Sequence, residues 1–160
     1  MLLAIRNRWF GLLAGLAKGP KIGRKAKIQP ASPEDTAFRR VPPDWVVTDP
    51  KAPGGRRASK EAFKDDKNGD PMSAYLKAIM DPLRLRVADV MFGKGQGWAV
   101  AAASVSMLMS EDQIVDPSPI VNAEASHPCD PAHASVIGDK KDKGRRERMA
   151  AASPIVHVSL

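Results

Sequence analysis

WAVAAASVSML, residues 98–108, is apolar on every face, so it is buried whatever conformation it takes. Periodicity does not separate helix from strand in such a run. Trp98, Val100 and Val105 are aromatic or β-branched and tilt the reading to a strand. Just before it stand Gly93, Gly95 and Gly97, but their spacing fits neither G-x-G-x-x-G nor G-x-x-x-x-G-K-[ST]. A nucleotide-phosphate loop of either kind is therefore not read here.

Upstream, MSAYLKAIMDPLRLRVADVMF has helix-like and strand-like pieces divided at Asp81-Pro82, since the residue before a proline resists the helical region. KDDKNGDP resembles a calcium loop and fails as one. With Gly69 at the loop glycine, Lys64 falls where the first carboxylate belongs and Tyr75 where the closing Glu belongs. A solvated turn is the reading. ASKEAF starts a short helical turn with Ser59 as its cap. Pro42 and Pro43 exclude a helix in AFRRVPPDWVVTDP, and Trp45, Val46 and Val47 read as a short strand. Downstream, QIVDPSPIV and PAHASVIG are two more short strands joined by a proline-rich loop, and KKDKGRRERMAAA is a basic helix ended at Ser153-Pro154. Together these predict one α+β domain over residues 37–139, made of short, mostly antiparallel strands with few short helices. Residues 1–36 and 140–160 are read as basic flanking segments, the second a helix and tail.

Composition agrees with one domain and a modest core. The chain has 160 residues, 43% of them apolar and 27% charged, with three Trp, one Tyr, four Phe and fourteen Pro. The net charge of +7 is unevenly placed. Residues 1–33 hold seven bases and no acid, and residues 140–148 carry +4, so the intervening body is negative. Basic ends of this kind hold phosphate or anionic lipid without reading sequence, and they also serve as plain solvated tails. The single cysteine, Cys129, excludes an intramolecular disulfide.

Residues 2–18 form an amphipathic pattern. At helical spacing Leu2, Leu3, Ile5, Trp9, Phe10, Leu12, Leu13 and Leu16 share one half of the circumference, with Asn7, Arg8, Gly11, Gly15 and Lys18 opposite. The run is too short to span a bilayer, so the reading includes no transmembrane segment. A signal peptide competes, because Trp9 to Ala17 is apolar and ends in small residues. Two bases before that run and five after it by Lys27 oppose translocation. The expected location is cytoplasmic, with export as the alternative and membrane-surface contact through residues 2–18 left open.

The chain concentrates reactive side chains in HPCDPAH, residues 127–133. His127, Cys129 and His133 are candidate ligands for a metal, but zinc sites want three or four ligands, and only Asp130 or the distant His157 is left to complete the set. The reading is a stiff turn into a strand, with no metal and no cofactor assigned. A catalytic Cys129 would need His127 or His133 as base, and nothing marks a third, orienting group.

Phe38-Arg39-Arg40-Val41-Pro42-Pro43, Arg57-x-Ser59-x-x-Ala62-Phe63, Met72-Ser73-Ala74-Tyr75-Leu76, and Asp130-Pro131-Ala132-His133 with Gly138 carry a resemblance. Over about residues 37–140 the chain resembles a group of small uncharacterised bacterial proteins with R-I-P-P, R-P-S-S-x-A-F, M-S-V and N/D-P-A-H segments. It departs from them at Ala58 and Lys60, where the group has Pro and Ser. The resemblance implies a bacterial origin and one compact domain, and no activity. It singles out His133 rather than His127 or Cys129.

Arg40, Arg57, Ser59, Ser73 and His133 then make a candidate anion site, since guanidinium forks and hydroxyls suit phosphate or carboxylate. Each also has a structural use: Arg40 with Asp44 or Asp49, Ser59 as a cap, His133 on a backbone carbonyl. The favoured function is a binding or accessory module for an anionic partner, whether a phosphate-bearing ligand, nucleic acid or an acidic protein surface. One alternative is a small enzyme on a phosphate-bearing substrate, with His133 as acid or base and Arg40 or Arg57 clamping the anion. The other is a protein docked on a membrane surface by its N-terminal amphipathic helix.

Overall fold

The structure is a computed structural model and describes residues 30–120 and 127–160. The expectations for residues 1–29, the amphipathic pattern above all, lie outside the described residues.

Eight strands are described: β1 (Thr36–Val41), β2 (Val46–Thr48), β3 (Arg56–Ala58), β4 (Met72–Leu76), β5 (Ala99–Ser104), β6 (Ile114–Pro117), β7 (His133–Ile137) and β8 (Ile155–Val158). Three short helices, α1 (Lys77–Met80), α2 (Val105–Ser110) and α3 (Lys143–Ala151), and several 3-10 turns complete the set. Six strands form one sheet in the order β6-β7-β4-β1-β5-β8, and β2 and β3 form a separate hairpin. Every pairing is antiparallel. The chain is thus a small α+β domain.

The sheet is covered on both sides. On its first face Ala37, Val41, Met72, Ala74, Leu76, Ala99, Ala101, Ala103, Ala134 and Val136 form one core with Phe63, Leu108 and Met149. Ala37 pairs with Ala103 and Ala74 with Ala134, so small side chains lie opposite one another. Larger residues from α2, α3 and the turn Lys60–Phe63 fill the space they leave. On the second face Phe38, Tyr75 and Val100 pack with Met80, Val90, Met91, Cys129 and Ala132. This double covering explains why β5 reads as apolar all round.

The stretch at 98–108 is strand and then helix. Ser104 makes the change, its hydroxyl accepting from the Met107 amide at 3.2 Å and capping α2. Likewise the chain upstream breaks first at Leu76, where β4 passes directly into α1. Ahead of β2, Pro43–Trp45 is a 3-10 turn with proline at its first position, a place that needs no amide donor. Ser59 does cap its turn, accepting from the Glu61 amide at 3.3 Å.

Residues 140–160 differ from the flanking helix and tail expected of them. Met149 and Ala150 of α3 are buried in the first core, and β8 is the sixth strand of the sheet, paired with β5. Lys140 is 5% exposed, with its ammonium donating to Asp65 Oδ1 and Val136 O, each at 2.7 Å. The physical reason is burial: IVHV is a short alternating strand, and the basic helix carries an apolar side beneath its arginines. Among the described residues no helix is long and apolar enough to cross a membrane.

Candidate anion-binding site

Alternation along β1 sends the two adjacent arginines to opposite faces. Arg39 shares the first face with Ala37 and Val41, and its Nε and Nη1 donate to the carbonyls of Ala62 at 3.0 Å and Ser73 at 2.9 Å. Burial, with the nearby charge of Arg40 as a lesser cause, lowers its pKa to about 10. That guanidinium is a structural tie. Arg40 shares the second face with Phe38, and its guanidinium carbon lies 5.3 Å from the centre of the Tyr75 ring. No acid of the described residues pairs with it.

Tyr75 is the centre of this face. Register pairs it with Phe38 on one side and with His133 on the other, and its neighbour-but-one Ser73 pairs with Ser135. The His133 ring meets Tyr75 edge-on with centroids 5.9 Å apart, and the His127 ring stacks on it at 5.4 Å. Burial raises the Tyr75 phenol above its ordinary pKa, while Arg40 opposes the rise. The phenol therefore stays neutral across the physiological range.

The two histidines are in different states. The Ser118 carbonyl, 2.9 Å from His133 Nδ1, can only accept, so Nδ1 carries the proton and neutral His133 keeps its lone pair on Nε2. The Ser118 hydroxyl lies 3.1 Å from the same nitrogen and 2.9 Å from the Ser135 hydroxyl, extending the polar row. At His127 the tautomer is reversed. The Cys129 amide donates to Nδ1 at 3.1 Å, and Nε2–H donates to the Val90 carbonyl at 3.3 Å. Burial first and Arg40 second lower its pKa, so the ring is neutral with both nitrogens engaged.

HPCDPAH is accordingly a turn into a strand. Asp130–Ala132 is a 3-10 turn closed by the Ala132 amide on the Cys129 carbonyl at 2.8 Å, and His133 opens β7. Cys129 is fully buried, and that burial pushes its thiol up to about 11. A thiol held protonated is a poor nucleophile at neutral pH. With His127 committed at both nitrogens and the Cys129 thiol buried and protonated, the weak metal set of His127, Cys129 and His133 has one uncommitted donor left. Among the described residues no group of three His, Cys, Asp or Glu side chains is placed to hold a metal.

Of the five residues named for anion binding, the sheet brings Arg40, Ser73 and His133 to one face. Arg57 and Ser59 sit with the elements covering the other. Arg57 pairs with Asp49 at 3.0 Å and Glu147 at 2.8 Å, and its Nη1 donates to the Ala58 carbonyl, tying the β2–β3 hairpin to α3. Ser59 follows its structural use as a cap, and Asp49, expected beside Arg40, is taken by Arg57. Tyr75, Ser118 and Ser135 complete the face and were not singled out. For Tyr75 and Ser135 the signal is alternation along β4 and β7, which has meaning only once the register is known.

No protein-family model matches the chain, and neither does any curated protein or solved structure.

Proposed function

We propose that the protein is a binding module that takes an anionic ligand at Arg40, on the second face of the sheet. One observation carries this reading. Arg40 is half-buried on an aromatic ring beside two histidines, with no acid among the described residues to neutralise it. A cation placed so is desolvated in part and, among the described residues, has no carboxylate within ion-pair distance, and an oxyanion would supply the opposing charge. Ser73, Ser135 and His133 offer hydroxyl and imidazole groups on the same face. The ligand is a phosphate or carboxylate group, of a small molecule, a nucleic acid or an acidic protein surface.

The geometry moves the reading away from the basic C-terminal end. There Arg145, Arg148 and Lys140 each face an acid of the domain, which leaves less charge for a partner. Charge bias around residues 2–18 supports a cytoplasmic location.

An acid–base enzyme on a phosphate-bearing substrate is the second reading. It is favoured by the His133 tautomer, which presents Nε2 as a lone-pair base while Ser118 holds Nδ1.

The test is the thermal shift of the full chain against inorganic phosphate, nucleotides and dicarboxylates, repeated with Arg40→Gln and His133→Ala. Binding predicts a ligand that raises the melting temperature of the parent and of His133→Ala less or equally, but not that of Arg40→Gln. If no anion shifts the parent, or if every anion that shifts the parent shifts Arg40→Gln equally, the reading is overturned. Turnover of a phosphate ester that is lost in His133→Ala alone would establish the enzyme instead.

A further inference from the structure

A second basic site lies on the other side of the molecule. Lys64, Asp65, Gly138, Asp139, Lys140, Lys141 and Arg146 line a groove of about 570 Å³. Its lining carries four cations and two acids. Lys140 is spoken for by Asp65 and the carbonyls of Val136 and Gly138. Arg146 is not.

Arg146 is only 5% exposed, and its Nε and Nη1 have no hydrogen-bond partner. The nearest acid, Glu61, places Oε1 3.6 Å from Nη1, outside hydrogen-bond range, while its other oxygen holds Lys64. Burying a guanidinium with unmet donors is costly, and an anion in the groove that Arg146 lines would offset its charge. Lys64 and Lys141 are exposed beside it. Lys141 from the loop after β7 and Arg146 from α3, with Lys64 after Phe63 shared with Glu61, suit a group with several terminal oxygens better than a planar carboxylate.

Size and lining narrow the class. The volume falls in the range of small-molecule sites and exceeds what a bare phosphate fills. None of the residues lining the groove is aromatic, so a nucleobase would find nothing to stack on. We infer that the groove binds a non-aromatic phosphate monoester, a sugar or glycerol phosphate in chemical class, through Lys64, Lys141 and Arg146. This site is separate from Arg40 and does not depend on it.

Isothermal titration calorimetry of the full chain with glycerol 3-phosphate, inorganic phosphate, adenosine monophosphate and glycerol tests it. Glycerol 3-phosphate is expected to bind more tightly than inorganic phosphate, with adenosine monophosphate no better than inorganic phosphate and glycerol silent. Lys141→Glu, an exposed change that leaves the core intact, should weaken binding about tenfold or more, as loss of one charge-assisted contact does. Arg146→Lys should weaken it as well while keeping the buried charge. Arg40→Gln should leave it unchanged. Absence of binding, or affinity retained by both Lys141→Glu and Arg146→Lys, overturns the inference. Tighter binding of the nucleotide overturns the ligand class. Loss in Arg40→Gln alone moves the phosphate to the sheet face, which sinks this site and supports the other.

Discussion

Gly138 is the residue whose replacement the structure forbids most plainly. It ends β7 at φ +153°, a backbone angle that residues with side chains rarely adopt. A Cβ built there would stand 2.7 Å from the Asp112 carbonyl oxygen and 2.7 Å from the Gln113 side-chain amide. Neither neighbour can yield easily. The carbonyl is backbone, and Gln113 is 2% exposed with Nε2 donating to the Glu111 carbonyl at 2.9 Å and the Asp139 carbonyl at 3.3 Å. In Gly138→Ala, the backbone angle costs about 1–3 kcal/mol. Forcing an extra methyl into a packed site adds about 1–3 kcal/mol. A loss near the middle of that combined range, about 4 kcal/mol, lowers Tm by about 8–16 °C in a domain of this size. Gly69→Ala is the control, because its φ is +85° but nothing lies within 4 Å of the added carbon. It loses only the left-handed penalty, about 1–2 kcal/mol. Urea denaturation of both variants, with the slope unchanged, measures the two losses on one scale. If Gly138→Ala proves no worse than Gly69→Ala, the close approach of β7 to the Asp112–Gln113 turn is wrong.

Arg57→Ala should cost about 1 kcal/mol in urea, since its two ion pairs are partly exposed, and should leave anion binding unchanged. Cys129 should resist thiol reagents at neutral pH in the native protein and react once unfolded. Its thiol titrates at about 11 when folded against 9.0 when free, so the native state holds the proton longer and stability falls as pH rises between those values. His127 sets an opposite limb. Its folded pKa is lowered, the unfolded chain takes up the proton first, and stability falls as pH drops below 6.5; His127→Phe should flatten that limb in thermal denaturation. Deleting residues 153–160 removes β8 from the sheet and should lower Tm by more than any substitution above; a Tm unchanged by the deletion would return those residues to the status of a tail.

The sequence made some elements legible and hid others for identifiable reasons. β2, β6 and β7 show as short runs rich in β-branched residues set off by Asp, Gly and Pro. The cap at Ser59 and the helix at 143–151 follow from local chemistry alone. β1, next to the middle of the sheet, is obscured by Arg39-Arg40, because a strand buried on both sides is not expected to hold two consecutive charges. It tolerates them only because Arg39 finds the carbonyls of Ala62 and Ser73, partners 23 and 34 residues away. Of the site, His133 and Arg40 were named from residue type and resemblance, but their meeting at Tyr75 depends on the β1–β4–β7 register. Arg57 looked equally suited as an anion clamp. Its acids, Asp49 and Glu147, lie 8 and 90 residues away, and only the folded chain decides between them and a ligand.

The charge pattern has an internal explanation that composition alone conceals. The body of the chain is acidic and α3 is basic, and the structure joins them: Arg148 grips Glu111 through two nitrogens at 2.7 Å, Arg145 pairs with Asp112 at 3.0 Å, and Glu147 answers Arg57. Contacts of this kind are each weak where exposed, yet they set the placement of a helix whose apolar side is small. Lys140 and Asp65 do the same from within, tying the end of β7 to the turn before β4. A cation that serves the fold has an acid or a set of carbonyls against it. Arg40 and the unmet nitrogens of Arg146 stand outside that pattern in opposite parts of the molecule, which is why the two proposed sites rest on them and not on net charge.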